Sequence, residues 1–160
     1  MVFFLFSCQN KGGNNDYIEI AKGFDMDPKE PRIGIILSSK DSLYFCREII
    51  KGRKGIGEYE YFQSNDTIHF DRFKKKILKE FKEIDNHSGI PDAQPTQLKY
   101  RLENNNYDQI FYIHNLSPKQ QKTLKGIFDL QKSKKLKKIN YYKFSSDLLQ
   151  EKIPGTLPTD

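Results

Sequence analysis

The sequence predicts an α+β fold, a mainly antiparallel sheet with helices packed on one face. Three observations carry this expectation. Residues 97–103 alternate Leu98, Tyr100 and Leu102 with Lys99, Arg101 and Glu103, and residues 109–114 return after three asparagines, as a hairpin does. Phe70, Phe73, Ile77, Phe81 and Ile84 recur at three- and four-residue steps, the period of a helix with one apolar face. Ser117-Pro118-Lys119-Gln120 opens a second helix, with Ser117 as cap, proline in the first turn and Gln120 closing a capping box.

The elements follow in order. Segment 9–31 is polar and locally acidic, is punctuated by Pro28 and Pro31, and reads as a flexible tether with at most a short strand at 17–20. Residues 32–37 form an apolar run with three isoleucines, a buried strand. A second strand spans 42–50, the glycine-punctuated 51–57 reads as a hairpin loop, and 58–63 alternates Glu and Tyr as a half-exposed strand. The helix from Phe70 takes Asp66 or Thr67 as its cap and ends at His87-Ser88-Gly89 and Pro91. After a loop at 85–96 come the hairpin and the second helix, whose buried face is Leu124, Ile127 and Phe128. A last strand is expected at 139–144, then a short helix through Leu149 capped by Ser145 or Ser146. Hairpin followed by helix occurs twice, at 42–84 and 97–130, which suggests a duplicated ββα unit. With the helices on one face, the other face is expected to be open and to carry Glu58, Glu60, Lys99 and Arg101.

At 160 residues the chain fits one domain, expected at 32–153 with a tail at 154–160. Nine tyrosines and twelve phenylalanines argue against a disordered chain. A net charge of +6 is compatible with an acidic partner, anionic headgroups or nucleic acid, and more readily with a plain lysine-rich solvated surface. Two cysteines, Cys8 and Cys46, make no disulfide framework. Cys46 lies in an apolar run and reads as a small core residue.

The N-terminus carries the one feature with a biological address. Val2–Phe6 is apolar, Ser7-Cys8 follows, and Gln9 to Asn15 is polar and rich in Gly and Asn. Leu5-Phe6-Ser7-Cys8 resembles the end of a bacterial lipoprotein signal peptide, in the looser Ser-Cys form of Bacteroidota lipoproteins. The match rests on Leu5, Ser7 and Cys8. Phe6 departs from the usual small residue, no Lys or Arg precedes the run, and the run is shorter than the roughly 7–15 residues of a full apolar region. A start inside a longer leader, or a truncated leader, accounts for that shortness. The resemblance implies a partial signal peptide at 1–8, palmitate-type lipidation of Cys8, export, and anchoring in the cell envelope, at the outer membrane or the periplasmic face. The other reading of the run is a hydrophobic strand packed on the domain. No stretch approaches the ~18 apolar residues of a membrane-crossing helix.

Catalytic patterns are sparse. His69, Asp71, Asp85, His87 and Asp92 show neither HxxxH nor HExxH, so no metal or other cofactor is expected. No GxSxG or SxxK is present. Glu58 and Glu60 share a strand face and offer the paired carboxylates of sugar hydrolysis. The glycines of 51–57 do not form a GxxxxGK[ST] phosphate loop. The charge features are larger: Lys74, Lys75, Lys79 and Lys82 on one helix, and five lysines between 132 and 138. Tyr59 and Tyr61, with Tyr100 and Tyr112, add aromatics of the kind that stack on RNA bases. Export argues against nucleic acid as a partner and for an envelope protein or anionic surface. The expectation is therefore a non-catalytic envelope lipoprotein that binds through Lys74, Lys75, Lys79, Lys82, Tyr59 and Tyr61. The alternative is a small carboxylate-dependent hydrolase of the envelope, using Glu58 and Glu60 or the 85–96 loop.

Overall fold

The structure is a computed structural model that describes residues 16–82, 84 and 93–150. It is an α+β fold. Strands β1 (Tyr17–Lys22), β2 (Ile33–Ser38), β3 (Leu43–Lys51), β4 (Lys54–Ser64), β5 (Pro95–Leu102), β6 (Asn105–Tyr112) and β7 (Lys137–Ile139) form one antiparallel sheet in the order β6-β5-β1-β2-β3-β4-β7. Helices α1 (Phe70–Glu80) and α2 (Pro118–Phe128) lie on one face. Two short helices, α3 (Leu130–Ser133) and α4 (Asp147–Gln150), follow.

Alternation along each strand builds the face under α1 and α2. Register places Ile18 opposite Leu37 and Tyr100, and Ile20 opposite Ile35 and Leu98. These residues meet Phe70, Ile77 and Phe81 from α1 and Leu124, Ile127 and Phe128 from α2 in one buried cluster. The strand directions fit a two-fold axis between β1 and β2 that carries β5-β6-α2 onto β3-β4-α1, so hairpin-then-helix does occur twice around the sheet.

Several expectations change. The predicted tether, 9–31, contains β1, the strand hydrogen-bonded on both edges between β2 and β5; residues 9–15 lie outside the described residues. Acidic composition concealed β1 because its one carboxylate, Glu19, is buried by partners far along the chain. The loop expected at 51–57 is mostly strand, and the chain reverses at Gly52 and Arg53, with Gly52 at φ +65°. The second hairpin turns at Glu103 and Asn104, both left-handed, so the turn starts one residue before the asparagine triplet and Asn105 and Asn106 already belong to β6.

Helix α1 stops at Glu80 rather than near His87, although Ile84 still packs on the core. Neither Asp66 nor Thr67 caps it. The N-cap position is His69, with φ 55° and no side-chain cap bond, and Asp41 accepts from the Phe70 N–H at 2.9 Å instead. Asp66 accepts from the Lys135 backbone N–H. The Ser117 capping box of α2 forms as expected, with Gln120 N–H donating to Ser117 Oγ and Ser117 N–H donating to Gln120 Oε1.

The predicted final strand at 139–144 is replaced by β7 and an irregular stretch leading to α4. That stretch changes the second face of the sheet, which was expected to be open. Residues 142–149 lie across it as a strap, with Phe144 and Leu149 packed on Ala21, Ile36 and Cys46. Nor do the four charged residues assigned to that face share it. Lys99 and Arg101 are there, but Glu60 stands opposite Arg47 and Ile33, on the side of the helices. Nothing local to the C-terminal segment marks the face it covers.

Candidate functional site

The strap is held by polar groups that the strands turn away from the helices. Glu19, in the middle of β1, accepts from the backbone N–H groups of Ser145 and Ser146, each at 2.8 Å, and from Ser145 Oγ at 2.6 Å. Gln97 on β5 accepts from Ser146 Oγ and the Asp147 N–H, and donates to the Asp108 and Asp147 carboxylates. Lys99 donates to the Ser145 carbonyl at 3.0 Å and pairs with Asp108 at 2.9 Å. Burial pushes the Glu19 carboxyl above its ordinary range, against the hydrogen bonds from Ser145 and Ser146 and the charge of Lys99.

Beneath the last turn of the strap lies a buried ion pair. Arg32 is 1% exposed and meets Glu48 through Nε and Nη2, at 2.9 and 2.8 Å. Its guanidinium stacks over Phe24, and Nη1 donates to the Leu148 carbonyl at 3.2 Å. Burial works against the Glu48 charge, but the bonds from Arg32 and the Gly57 N–H prevail and hold its carboxyl below the usual range. Two glycines make room for this arrangement. A Cβ on Gly55 would collide with the Glu48 carboxylate, and one on Gly34 would stand 2.8 Å from both Phe144 and Leu149.

Where the strap crosses β1–β3, a cleft of about 540 Å³ opens. Its walls are Tyr17, Tyr44 and Tyr142, the last two stacked with centroids 3.5 Å apart. Lys40, Arg101 and Lys143 stand exposed around it, and the Arg101 guanidinium lies over the Tyr17 ring. The carboxylates of the cleft are buried and engaged. Glu19 serves the strap, and Asp16 pairs with Lys74 at 2.9 Å while accepting from the Glu103 N–H. The arrangement is flat aromatic surface ringed by cations, with its two carboxylates, Asp16 and Glu19, already hydrogen-bonded within the fold.

The residues singled out from sequence are not brought together. Lys75, Lys79 and Lys82 are exposed on or just beyond α1, but Lys74 is held by Asp16 and Glu103, which raise its pKa. Tyr59 and Tyr61 are on the opposite face of the sheet, where with Cys46, Tyr141 and Phe144 they line a second cleft of about 300 Å³. The Tyr59 hydroxyl donates to the Leu149 carbonyl, so this tyrosine fastens the strap. Glu60 is tied to Lys138 and Arg47, whose hydrogen bonds hold its carboxyl below the usual range, the opposite of what a proton donor needs. Burial pushes the Cys46 thiol far up. Cys8, His87, Asp92 and most of the 85–96 loop lie outside the described residues.

Among the described residues no group of three or more His, Cys, Asp or Glu is placed to hold a metal ion, and no helix is long and apolar enough to cross a membrane. Sequence reasoning missed Glu19, Arg32, Glu48, Gln97 and the strap serines. Their partners are 9 to 127 positions away, and no local signal marks them. No protein-family model matches the chain, and no curated protein matches it.

Proposed function

We propose that this chain is a non-catalytic binding module of the bacterial envelope, displayed on a membrane by a lipid on Cys8, and that the Tyr17/Tyr44/Tyr142 cleft takes an anionic envelope polymer. The observation that carries the reading is the division of charge in that cleft. Its carboxylates are buried and already hydrogen-bonded, while Lys40, Arg101 and Lys143 surround the aromatic walls. Rings offer flat apolar faces to a sugar or planar group, and rim cations steer an anion and make its binding salt-dependent. The leader Leu5-Phe6-Ser7-Cys8 supports the envelope address.

The test has two arms. Immobilised alginate, a carboxylated polysaccharide, is compared with neutral dextran at rising salt. The full chain retains on alginate, salt weakens retention, and Lys40→Gln with Lys143→Gln weakens it at least roughly tenfold, or about 1.4 kcal/mol. Equal retention on dextran, or an unchanged double variant, rejects the ligand. In cells, Cys8→Ala or inhibition of lipoprotein signal peptidase moves the protein out of the membrane fraction. Unchanged partitioning rejects the anchor.

A further inference from the structure

A third cleft, on the helix side of the sheet and so across it from the strap, has a different chemistry. About 590 Å³ in volume, it runs along α2 where that helix leaves the ends of β1 and β2. Its floor is apolar: Ile33, Ile113, Leu124 and Phe128, with Ile113 36% exposed. Its rim is basic: Lys22, Lys122, Lys125 and Lys132, against the single carboxylate of Asp129. Asp129 is shared by Lys125 at 2.6 Å and Lys132 at 3.5 Å. Lys22 and Lys122 form no ion pair among the described residues, and Lys22 Nζ lies over the Phe128 ring, 4.9 Å from its centroid. Beside Lys22 on the ladder, Thr96 has a fully buried hydroxyl with no hydrogen-bond partner among the described residues.

We infer that this groove binds a single apolar chain with an anionic head, a free fatty acid. The apolar floor accounts for the chain and the two unneutralised lysines for the carboxylate. The size selects among occupants. A volume in the range of small-molecule sites, roughly 300–1,000 Å³, holds one extended acyl chain. Fixing the head over Phe128 also keeps the cation of Lys22 against the aromatic face, where its attraction grows as water is displaced.

Titration calorimetry with dodecanoate below its micelle concentration, on the full chain, tests this. Saturable one-to-one binding is expected. Lys22→Gln with Lys122→Gln weakens it at least roughly tenfold, as removing a paired charge does. Ile113→Asp, at a 36% exposed position, weakens it similarly, while circular dichroism of each variant stays unchanged. Dodecanol binds more weakly than dodecanoate, and butanoate does not compete. The inference fails if dodecanoate does not saturate, if dodecanol binds as tightly, or if the lysine variant binds normally. It also fails if the chain instead dimerises with rising concentration and Ile113→Asp abolishes the dimer, which would give the groove to a second copy. Alginate retention is read separately, so the two clefts stand or fall independently.

Discussion

On the face beneath α1 and α2 the strands present Ile18, Ile20, Ile35, Leu37, Phe45 and Leu98. On the face beneath the strap the same strands present Glu19, Glu48, Gln97 and Lys99 among Ala21, Ile36 and Cys46. The first face is covered by two eleven-residue helices whose apolar stripes supply area. Burial there is non-directional, so any good packer contributes in proportion to the surface it hides. The second face is covered by a strap whose only helix is four residues long, and its position is set by directed bonds to specific atoms. Stability there depends on completeness, because a buried donor or charge that loses its partner costs more than the bond contributed.

This contrast can be broken or sharpened by substitution. Arg32→Ala should cost the most, about 3–5 kcal/mol in urea unfolding, because it strands the Glu48 charge. Replacing both partners, Arg32→Met with Glu48→Leu, should recover most of that loss. If the single change costs under about 1 kcal/mol, the strap face is not governed by completeness. On the helix face, Leu124→Ala should cost about 3 kcal/mol, in line with the cavity it leaves, and no second change should be needed to explain the loss.

The pH dependence is a smaller effect and separates the faces by location. Glu19 has a raised folded pKa, so its contribution is full below its unfolded value, about 4.3, and is lost as pH rises through the folded value. Glu48 has a lowered folded pKa, so its contribution is present above the unfolded value and is lost as pH falls through the folded one. Between them, protection of the Ser145 and Ser146 amides from hydrogen exchange should peak near the ordinary carboxylate range and decline on the alkaline side. Glu19→Gln should remove that alkaline decline while leaving the amides of α2 unaffected. A decline of equal size in the variant would place the titrating group elsewhere. The smallest effect is Ser117→Ala, about 1 kcal/mol lost with the capping box and confined to the start of α2.

Much of the helix-covered face was legible beforehand. Phe70, Ile77 and Phe81 fell on one face by period alone, Ser117 and Gln120 announced a helix start, and Leu98-Lys99-Tyr100 read as a strand. The strap face was not. Glu19 sits between two isoleucines and looks like any outward strand position, and Tyr142-Lys143-Phe144 carries strand-type residues yet forms no ladder. Of the residues expected at a binding site, Tyr59 and Tyr61 were separated from the lysines because alternate residues of β4 face opposite sides of the sheet, and these two fall on the side away from α1.

What the sequence determined by itself was therefore local: most of the strands, the two long helices, and which of their faces are apolar. Those follow from backbone geometry, since a strand repeats its face every two residues and a helix about every 3.6, so near neighbours suffice to read them. The tertiary structure alone decided that β1 is internal, that Asp41 caps α1, that Arg32 meets Glu48, and that the strap closes one face and leaves the tyrosine cleft beside it. Each of those joins residues distant along the chain. Such pairs are selected by packing and by the cost of leaving a buried polar group unmatched, which only the assembled sheet imposes.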